Sequence, residues 1–217
     1  NKERIKQLRL NTAYNTEDYM SITMSINNQK IHRYYKDTEY EIKLNLKNKD
    51  KSLEDYLFDV ENIISKSNQY DVDKVQSKTQ MKTHFFADNS NEYSIFRYEN
   101  KVMLKIKNHN IVQSGQFPIF CNTETFLYEL GEIQTKIAND NVQYMGNMIK
   151  NRIKDFIIDT NNGLTYSLAI TICESNGVKQ HQLEVEYYGH LESHKPSQKP
   201  SEKEIQDNLV KLTNYIY

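Results

Sequence analysis

The sequence lacks the marks of a secreted or membrane-embedded protein. Its two cysteines, Cys121 and Cys173, are far apart and do not have the spacing of a metal site. Such sparse use of cysteine fits a reducing intracellular setting. No apolar run approaches the ~20 residues of a membrane-spanning helix, and the first residues carry no signal-peptide pattern. We therefore expect a cytoplasmic protein with no membrane partner.

An excess of positive charge is also missing. The 28 Lys and Arg residues are balanced by 29 Asp and Glu residues, for a formal net charge of −1. A protein that coats nucleic acid shows a basic excess, because neutralising phosphates drives that binding. If this chain binds a polyphosphate, its cations must be concentrated inside a site. Tryptophan is absent as well, but 16 tyrosines and 8 phenylalanines in 217 residues can build the core of one domain.

Alternation of apolar and polar residues predicts strands over most of the chain. It is clearest in 35–46, where Tyr40, Ile42 and Leu44 share one face and charged residues the other. Turn signals rich in Asn, Ser and Gly separate the strands that follow. These strands are predicted at Val75–Phe86, Glu92–Tyr98, Val102–Val112, Phe117–Thr123, Lys150–Ile158, Tyr166–Cys173 and Gln180–Tyr188.

Helical spacing predicts three amphipathic helices, Ser52–Ser65, Thr125–Ala138 and Glu202–Ile216, and a short helix over 15–24. Residues 1–190 are expected to form one domain with its core at 36–190. Residues 191–217 would form a linker and the last helix. Many short strands with few helices predict a mainly β (α+β) fold, an antiparallel barrel. Because several strands alternate apolar with charged faces, we expect a charged interior and the helices as an outer cover.

Two acidic rows are the first candidates for chemistry. Residues two apart on a strand lie on one face, roughly 6.6 Å apart, so Glu39, Glu41 and Lys43 form one row and Glu184 and Glu186 another. Neighbouring carboxylates repel unless a cation lies between them or one is protonated, and a hard divalent metal with oxygen ligands resolves that conflict. One row alone is better explained as a solvated strand face. Two rows in one barrel favour a metal site.

A basic set of residues alternates along other strands and is typical of a groove that binds polyphosphate. Any one of these residues alone is more often an ordinary surface cation. The set consists of Arg97, Lys105, Lys107, Lys150, Arg152 and Lys154.

These motifs resemble a known family. Glu39-Tyr-Glu41-Ile-Lys43 matches the Glu-x-Glu-x-Lys strand of triphosphate tunnel metalloenzymes, and Glu184-Val-Glu186 matches their last acidic strand. The resemblance spans about residues 36–190. Within the family the chain is similar to the RNA triphosphatases of fungal and large-DNA-virus capping enzymes, most of all to the N-terminal domain of the mimivirus type.

The resemblance implies roles for these residues. Glu39, Glu41, Glu184 and Glu186 would bind Mg²⁺ or Mn²⁺. Lys43 and the basic set would bind the triphosphate. Glu124, or one of the last acidic pair, would orient the attacking water, although a carboxylate at a helix start explains Glu124 equally well. All of these except Lys154, which is assigned to phosphate binding alone, are the expected catalytic residues.

The chain departs from the family pattern in one strand. The family often has Asp-hydrophobic-Thr there, whereas this chain has Ala169-Ile-Thr171. Either the alignment slips, or the missing carboxylate is replaced by Asp155, Asp159 or Glu132.

The expected function is hydrolysis of the γ-phosphate of 5′-triphosphate RNA in mRNA capping. The expected protein is a monomer, fused in its full length to guanylyltransferase and perhaps methyltransferase domains. The same tunnel could hydrolyse tripolyphosphate, thiamine triphosphate or nucleoside triphosphates, or serve a nucleotidyl cyclase relative. A non-catalytic β-barrel that binds anions is the alternative from another class.

Overall fold

The computed structural model describes residues 25–26, 29–98 and 101–217. The helix predicted over 15–24 lies outside these residues. The described part contains eleven strands and three α-helices. The strands are β1 (Ser25–Ile26), β2 (Gln29–His32), β3 (Thr38–Asn45), β4 (Tyr70–Ala87), β5 (Asn91–Tyr98), β6 (Lys101–Asn108), β7 (Ile111–Ser114), β8 (Phe117–Leu127), β9 (Gln143–Asp159), β10 (Leu164–Ser175) and β11 (Val178–Leu191). The helices are α1 (Leu53–Ser65), α2 (Leu130–Asn139) and α3 (Glu202–Ile216).

Eight of these strands form a closed antiparallel barrel, in the order β3-β11-β10-β9-β4-β5-β6-β8 and back to β3. Strand β3 closes the ring, pairing Ile42 with Val185 of β11 on one side and Tyr40 with Cys121 of β8 on the other. Strands β1 and β2 extend the sheet beside β11, and β7 pairs with β8. The predicted barrel is confirmed.

The barrel buries apolar side chains on its outside. In β9, Ile153 and Ile157 face outward into a core covered by α1 and α3, while Arg152 and Lys154 face inward. Side-chain hydroxyls of Ser52 and Ser201 cap these two helices by accepting backbone N–H bonds of 3.1 Å, a contact that stabilises a helix by about 1 kcal/mol. Helix α2 covers a smaller cluster over β5 and β6. The predicted outer cover is confirmed.

Several predicted boundaries are wrong, because long-range pairing decided them. Strand β8 continues to Leu127, where it pairs with Leu104 of β6, so the second helix starts at Leu130 and not at Thr125. The strand predicted over 102–112 is two strands, β6 and β7. Strands β4 and β9 start well before the predicted residues, since each supplies the other with ladder hydrogen bonds along a polar stretch without clean alternation.

No helix in the described ranges is long and apolar enough to cross a membrane.

Candidate functional site

The interior of the barrel holds an open-mouthed cavity with about 640 Å³ of empty space, counted out to the solvent. Its wall is formed mainly by charged side chains, which come from five strands and from Arg33 after β2. The lining residues are Arg33, Glu39, Glu41, Lys43, Met81, Phe96, Lys105, Lys107, Glu124, Phe126, Lys150, Arg152, Glu184 and Glu186.

Three carboxylates converge on one side of this cavity. Glu39 and Glu41 lie on β3, and Glu186 lies directly opposite Glu41 on β11. One carboxylate oxygen from each residue lies within 4.8 Å of the others. Closure of the barrel by the β3–β11 pair therefore creates a cluster from residues almost 150 positions apart.

The charges within this cluster are unevenly compensated. Burial, and then the neighbouring carboxylate of Glu39, raise the pKa of Glu41 to about 7. Burial also raises the pKa of Glu186 to about 8, assisted by Glu39, Glu41 and Glu124. Burial opposes ionisation of Glu39 too, but Lys107 at 2.7 Å outweighs it and holds the pKa of Glu39 well below its usual range.

A divalent metal ion fits this cluster. All three side chains offer hard oxygen atoms, which Mg²⁺ and Mn²⁺ prefer. The Oε1 atom of Glu41 is buried and, among the described residues, accepts no hydrogen bond of normal geometry, although Nζ of Lys43 lies 3.0 Å away. A cation between the carboxylates would relieve their repulsion and satisfy that oxygen.

The structure places Glu184 outside this cluster, although it is two residues from Glu186. The Arg152 guanidinium donates to both oxygens of Glu184, at 3.3 and 3.4 Å. The hydroxyl of Thr171 donates to Glu184 at 3.0 Å and accepts from Nε of Arg152 at 3.1 Å. Burial raises the pKa of Glu184, but Arg152 and Lys43 outweigh it and bring that pKa to about 2. Glu184 thus orients Arg152 and stays ionised.

The opposite wall concentrates positive charge. Burial, and then Arg152, lower the pKa of Lys150 to about 8, and Nζ of Lys105 lies 3.7 Å from Glu124. Lys154 is 5% exposed and lies outside the cavity lining. Burial lowers its pKa to about 7, and Arg152 contributes to that shift against the opposing effect of Glu186. A phosphate chain in the cavity would add negative charge beside Lys105 and Lys150, which both line it.

Glu124 lies in the middle of β8, directly opposite Lys107 of β6. The alternative that it starts a helix is therefore wrong. Its carboxylate faces the cavity, and burial followed by the charge of Glu39 raises its pKa.

The side chain of Arg97 lies outside the described part of the structure. The backbone of Arg97 pairs with that of Val102, and Arg97 is two residues from Ile95. The intervening residue, Phe96, pairs with Met103 and lines the cavity.

The position of Ala169 faces the barrel interior, between Lys154 of β9 and Glu184 of β11. The proposed substitutes do not reach it. Asp155 pairs with Leu168 on the opposite face of the sheet, Asp159 accepts a hydrogen bond of 3.0 Å from the Gln69 side chain, and Glu132 is exposed on α2.

The sequence analysis assigned no role to three residues of the site: Arg33, Asn122 and Thr171. Asn122 donates to Glu39 at 3.1 Å. Arg33 precedes β3 in a stretch with no strand pattern. Its guanidinium lies 4.8 Å from the centre of the Tyr188 ring, and its buried Nη1 has no hydrogen-bond acceptor among the residues the structure describes. No periodic signal could have found Arg33, whereas alternation along β8 and β10 could have indicated the other two.

No family model matches the chain, and no curated protein matches it. Solved structures resemble it distantly. The triphosphatase of the mimivirus capping enzyme is 11% identical with a TM-score of 0.38, covering 95% of this chain and 97% of that one. The RNA triphosphatase of S. pombe, solved with the Spt5 CTD, is 13% identical with a TM-score of 0.39, covering 99% and 90%. A conserved hypothetical protein of Pyrococcus furiosus is 15% identical with a TM-score of 0.47, covering 82% and 90%.

Proposed function

We propose that the chain is a metal-dependent phosphohydrolase that removes the γ-phosphate from 5′-triphosphate RNA, as in mRNA capping. The observation that carries the proposal is one cavity in which three clustered carboxylates face a wall of lysines and arginine. A simple anion-binding barrel has no use for carboxylates that repel its ligand. A simple metal site has no use for the basic wall.

In this proposal Glu39, Glu41 and Glu186 hold Mg²⁺ or Mn²⁺. The ion, when bound, would withdraw negative charge from the γ-phosphate and favour attack on it. Arg152 is held in place by Glu184 and Thr171 and is suited to bind phosphate oxygens in a bidentate manner. Lys43, Lys105, Lys107 and Lys150 act as point charges along the chain of phosphates.

Glu124 is the cavity carboxylate that neither joins the three-carboxylate cluster nor orients Arg152. Its raised pKa favours a role in accepting a proton from the attacking water. Water would attack the γ-phosphorus, and the bond to the bridging oxygen would break, which yields inorganic phosphate and a 5′-diphosphate end. Phosphoryl transfer of this kind depends on positioning and charge neutralisation and needs no covalent intermediate. In a capping enzyme the diphosphate end would pass to a fused guanylyltransferase domain.

The test is release of phosphate from γ-labelled triphosphate RNA, ATP and tripolyphosphate, with and without Mn²⁺ or Mg²⁺. Glu41→Gln and Glu186→Gln keep the side-chain size and remove one ionisable carboxyl each. Glu132→Gln, at an exposed position on α2, is the matched control.

Metal-dependent release that both cavity variants lose and the control retains supports the phosphohydrolase. The ranking of the three substrates then distinguishes an RNA triphosphatase from an inorganic or nucleoside triphosphatase. Binding of tripolyphosphate without release from any substrate would leave a non-catalytic anion-binding barrel and contradict the proposal.

A further inference from the structure

One mouth of the barrel, where the β4–β5 and β10–β11 turns lie, has a chemistry unlike that of the cavity. A depression there continues from the cavity, because Lys43 and Lys150 line both. Its other walls carry mainly apolar and amide side chains, among them Phe85, Met148 and Gln182, together with the carboxylate of Glu92. A ligand whose anionic part lies in the cavity would therefore place its next group against an aromatic, apolar and amide surface.

A β-bulge leaves space beside Phe85. The register between β4 and β9 shifts after this residue, so that Phe85 pairs with Gly146 and Phe86 with Tyr144. Gly146 has a φ of 118°, and within the described residues a Cβ at this position would meet nothing within 4 Å. The cross-strand neighbour of Phe85 thus has no side chain, and the space next to the half-buried ring is open. Bulges next to binding sites commonly redirect side chains in this way.

Phe85 also adjoins the cationic cavity. Nζ of Lys150 lies 5.4 Å from the centre of the Phe85 ring. A group attached to a phosphate near Lys150 would therefore meet the ring within a few bonds.

We propose that this mouth binds the nucleoside that carries the 5′-triphosphate, with its base stacked on Phe85 and its polar edge against amides such as Gln182. The inference rests on the proposed function, which puts the triphosphate in the adjoining cavity. A nucleobase fits this mixed surface, since it combines a π-face with hydrogen-bonding edges. Stacking is tolerant of sequence because every base has a π-face, which suits an enzyme that accepts any first nucleotide.

The experiment compares substrates with and without a nucleoside. We would measure kcat/KM for triphosphate RNA, ATP and tripolyphosphate, and the Kd values of ATP and tripolyphosphate by calorimetry, on Phe85→Leu and Phe85→Trp proteins. Phe85→Leu removes the ring and keeps an apolar side chain. We expect Phe85→Leu to lower the ratio of kcat/KM for RNA to kcat/KM for tripolyphosphate by about tenfold. We also expect it to lower the ratio of the tripolyphosphate Kd to the ATP Kd by about tenfold. Phe85→Trp should keep or increase both ratios. Tyr144→Leu is the matched control, because Tyr144 is 50% exposed and lies outside the mouth lining.

An unchanged Kd ratio in Phe85→Leu, or an equal loss in Tyr144→Leu, would overturn the nucleoside site even if tripolyphosphate is hydrolysed normally. Absence of hydrolysis in the wild type would instead refute the proposed function. The calorimetric ratio would then still decide whether the mouth recognises a nucleoside.

Discussion

The two faces of the barrel wall each bury a group of carboxyls, and the two groups are stabilised in different ways. On the inner face, Glu39, Glu41 and Glu186 meet beside an open cavity. On the outer face, Asp155 of β9 meets Glu61 of α1, sealed between helix and sheet with 0% and 6% exposure.

The outer pair is satisfied by groups of the chain itself. Glu61 forms an ion pair of 3.0 Å with Lys74, and Oδ1 of Asp155 accepts the backbone N–H of Gln76 at 2.8 Å. Gln76 lies at a bulge of β4 with a φ of 47°. The Oδ2 atom of Asp155 is buried and has no donor within the described ranges, and a proton on one of the two carboxyls would satisfy it. Burial, more than the neighbouring Glu61, raises the pKa of Asp155 to about 7.

The two groups of carboxyls differ in whether they need a ligand to balance their charge. The outer pair is neutralised by Lys74 and held by the backbone N–H of Gln76, so it is complete when helix α1 packs. In the inner cluster the lysines that could neutralise the carboxylates also face the cavity, and two of the three acids keep raised pKa values. The inner cluster is therefore arranged for a ligand, and the outer pair is arranged for folding.

Removing one inner carboxylate should have the largest effect. We expect Glu186→Gln to lower metal-dependent phosphate release by more than the ~10–100-fold that is usual for partners outside the ligand set. Mn²⁺ should no longer raise the Tm of this variant, since ligand binding to the folded state is lost. Asp155→Asn, on the outer face, should retain both responses. Equal Mn²⁺ stabilisation of Glu186→Gln and wild type would place the metal elsewhere.

Replacing the outer acid should change stability in a pH-dependent way. Because the pKa of Asp155 is raised in the folded state to about 7, its contribution to stability is complete in acid and is lost as the pH rises toward 7. We expect the free energy of unfolding of Asp155→Asn, relative to wild type, to increase by about 2 kcal/mol between pH 5.5 and pH 8. Urea denaturation at both values measures it. A difference that does not depend on pH would mean that Asp155 is ionised throughout.

Arg33 extends the inner region toward Tyr188. If Nη1 of Arg33, which has no acceptor within the described ranges, binds a phosphate oxygen, Arg33→Ala should lower kcat/KM for tripolyphosphate by about tenfold. That is the lower end for a charge-assisted hydrogen bond. Arg33→Lys should recover only part of this loss, since lysine lacks the planar fork. Unchanged kinetics in Arg33→Ala would limit Arg33 to packing on Tyr188.

The smallest effect is expected from Thr171, which contacts both Arg152 and Glu184. Thr171→Val keeps the volume and removes the hydroxyl. The loss of about 1 kcal/mol of hydrogen bonding should raise the KM for tripolyphosphate several-fold and affect kcat less. Thr135→Val, on α2, is the control. A fall in kcat with unchanged KM would contradict a role in placing Arg152 for binding.

Much of the barrel could be predicted from the sequence, because charged and apolar residues alternate along β3, β9 and β11. The beginnings of β4 and β9 could not, since the two strands are antiparallel and the beginning of each becomes strand by pairing with the end of the other. The same holds for Thr125–Leu127, whose partner is β6 and not the next turn of a helix.

The candidate site, too, could be predicted only in part. Alternation indicated which face of each acidic strand carries charge, but Glu184 and Glu186 are equivalent in the sequence. Only the register of β11 against β3 and β10 separates them, because it brings Glu186 opposite Glu41 and Glu184 within reach of Thr171 and Arg152.

By itself, the sequence determined that strands with one charged face and one apolar face would form, and that amphipathic helices would cover the apolar faces. Tertiary structure alone decided which charges meet. The side-chain period of a strand is local, whereas the partner across the barrel depends on closure and register between segments far apart in the chain. For that reason the acidic rows and their metal site could be predicted from the sequence. The separation of Glu184 from the cluster of Glu39, Glu41 and Glu186, the contribution of Arg33 and the open space beside Phe85 could not.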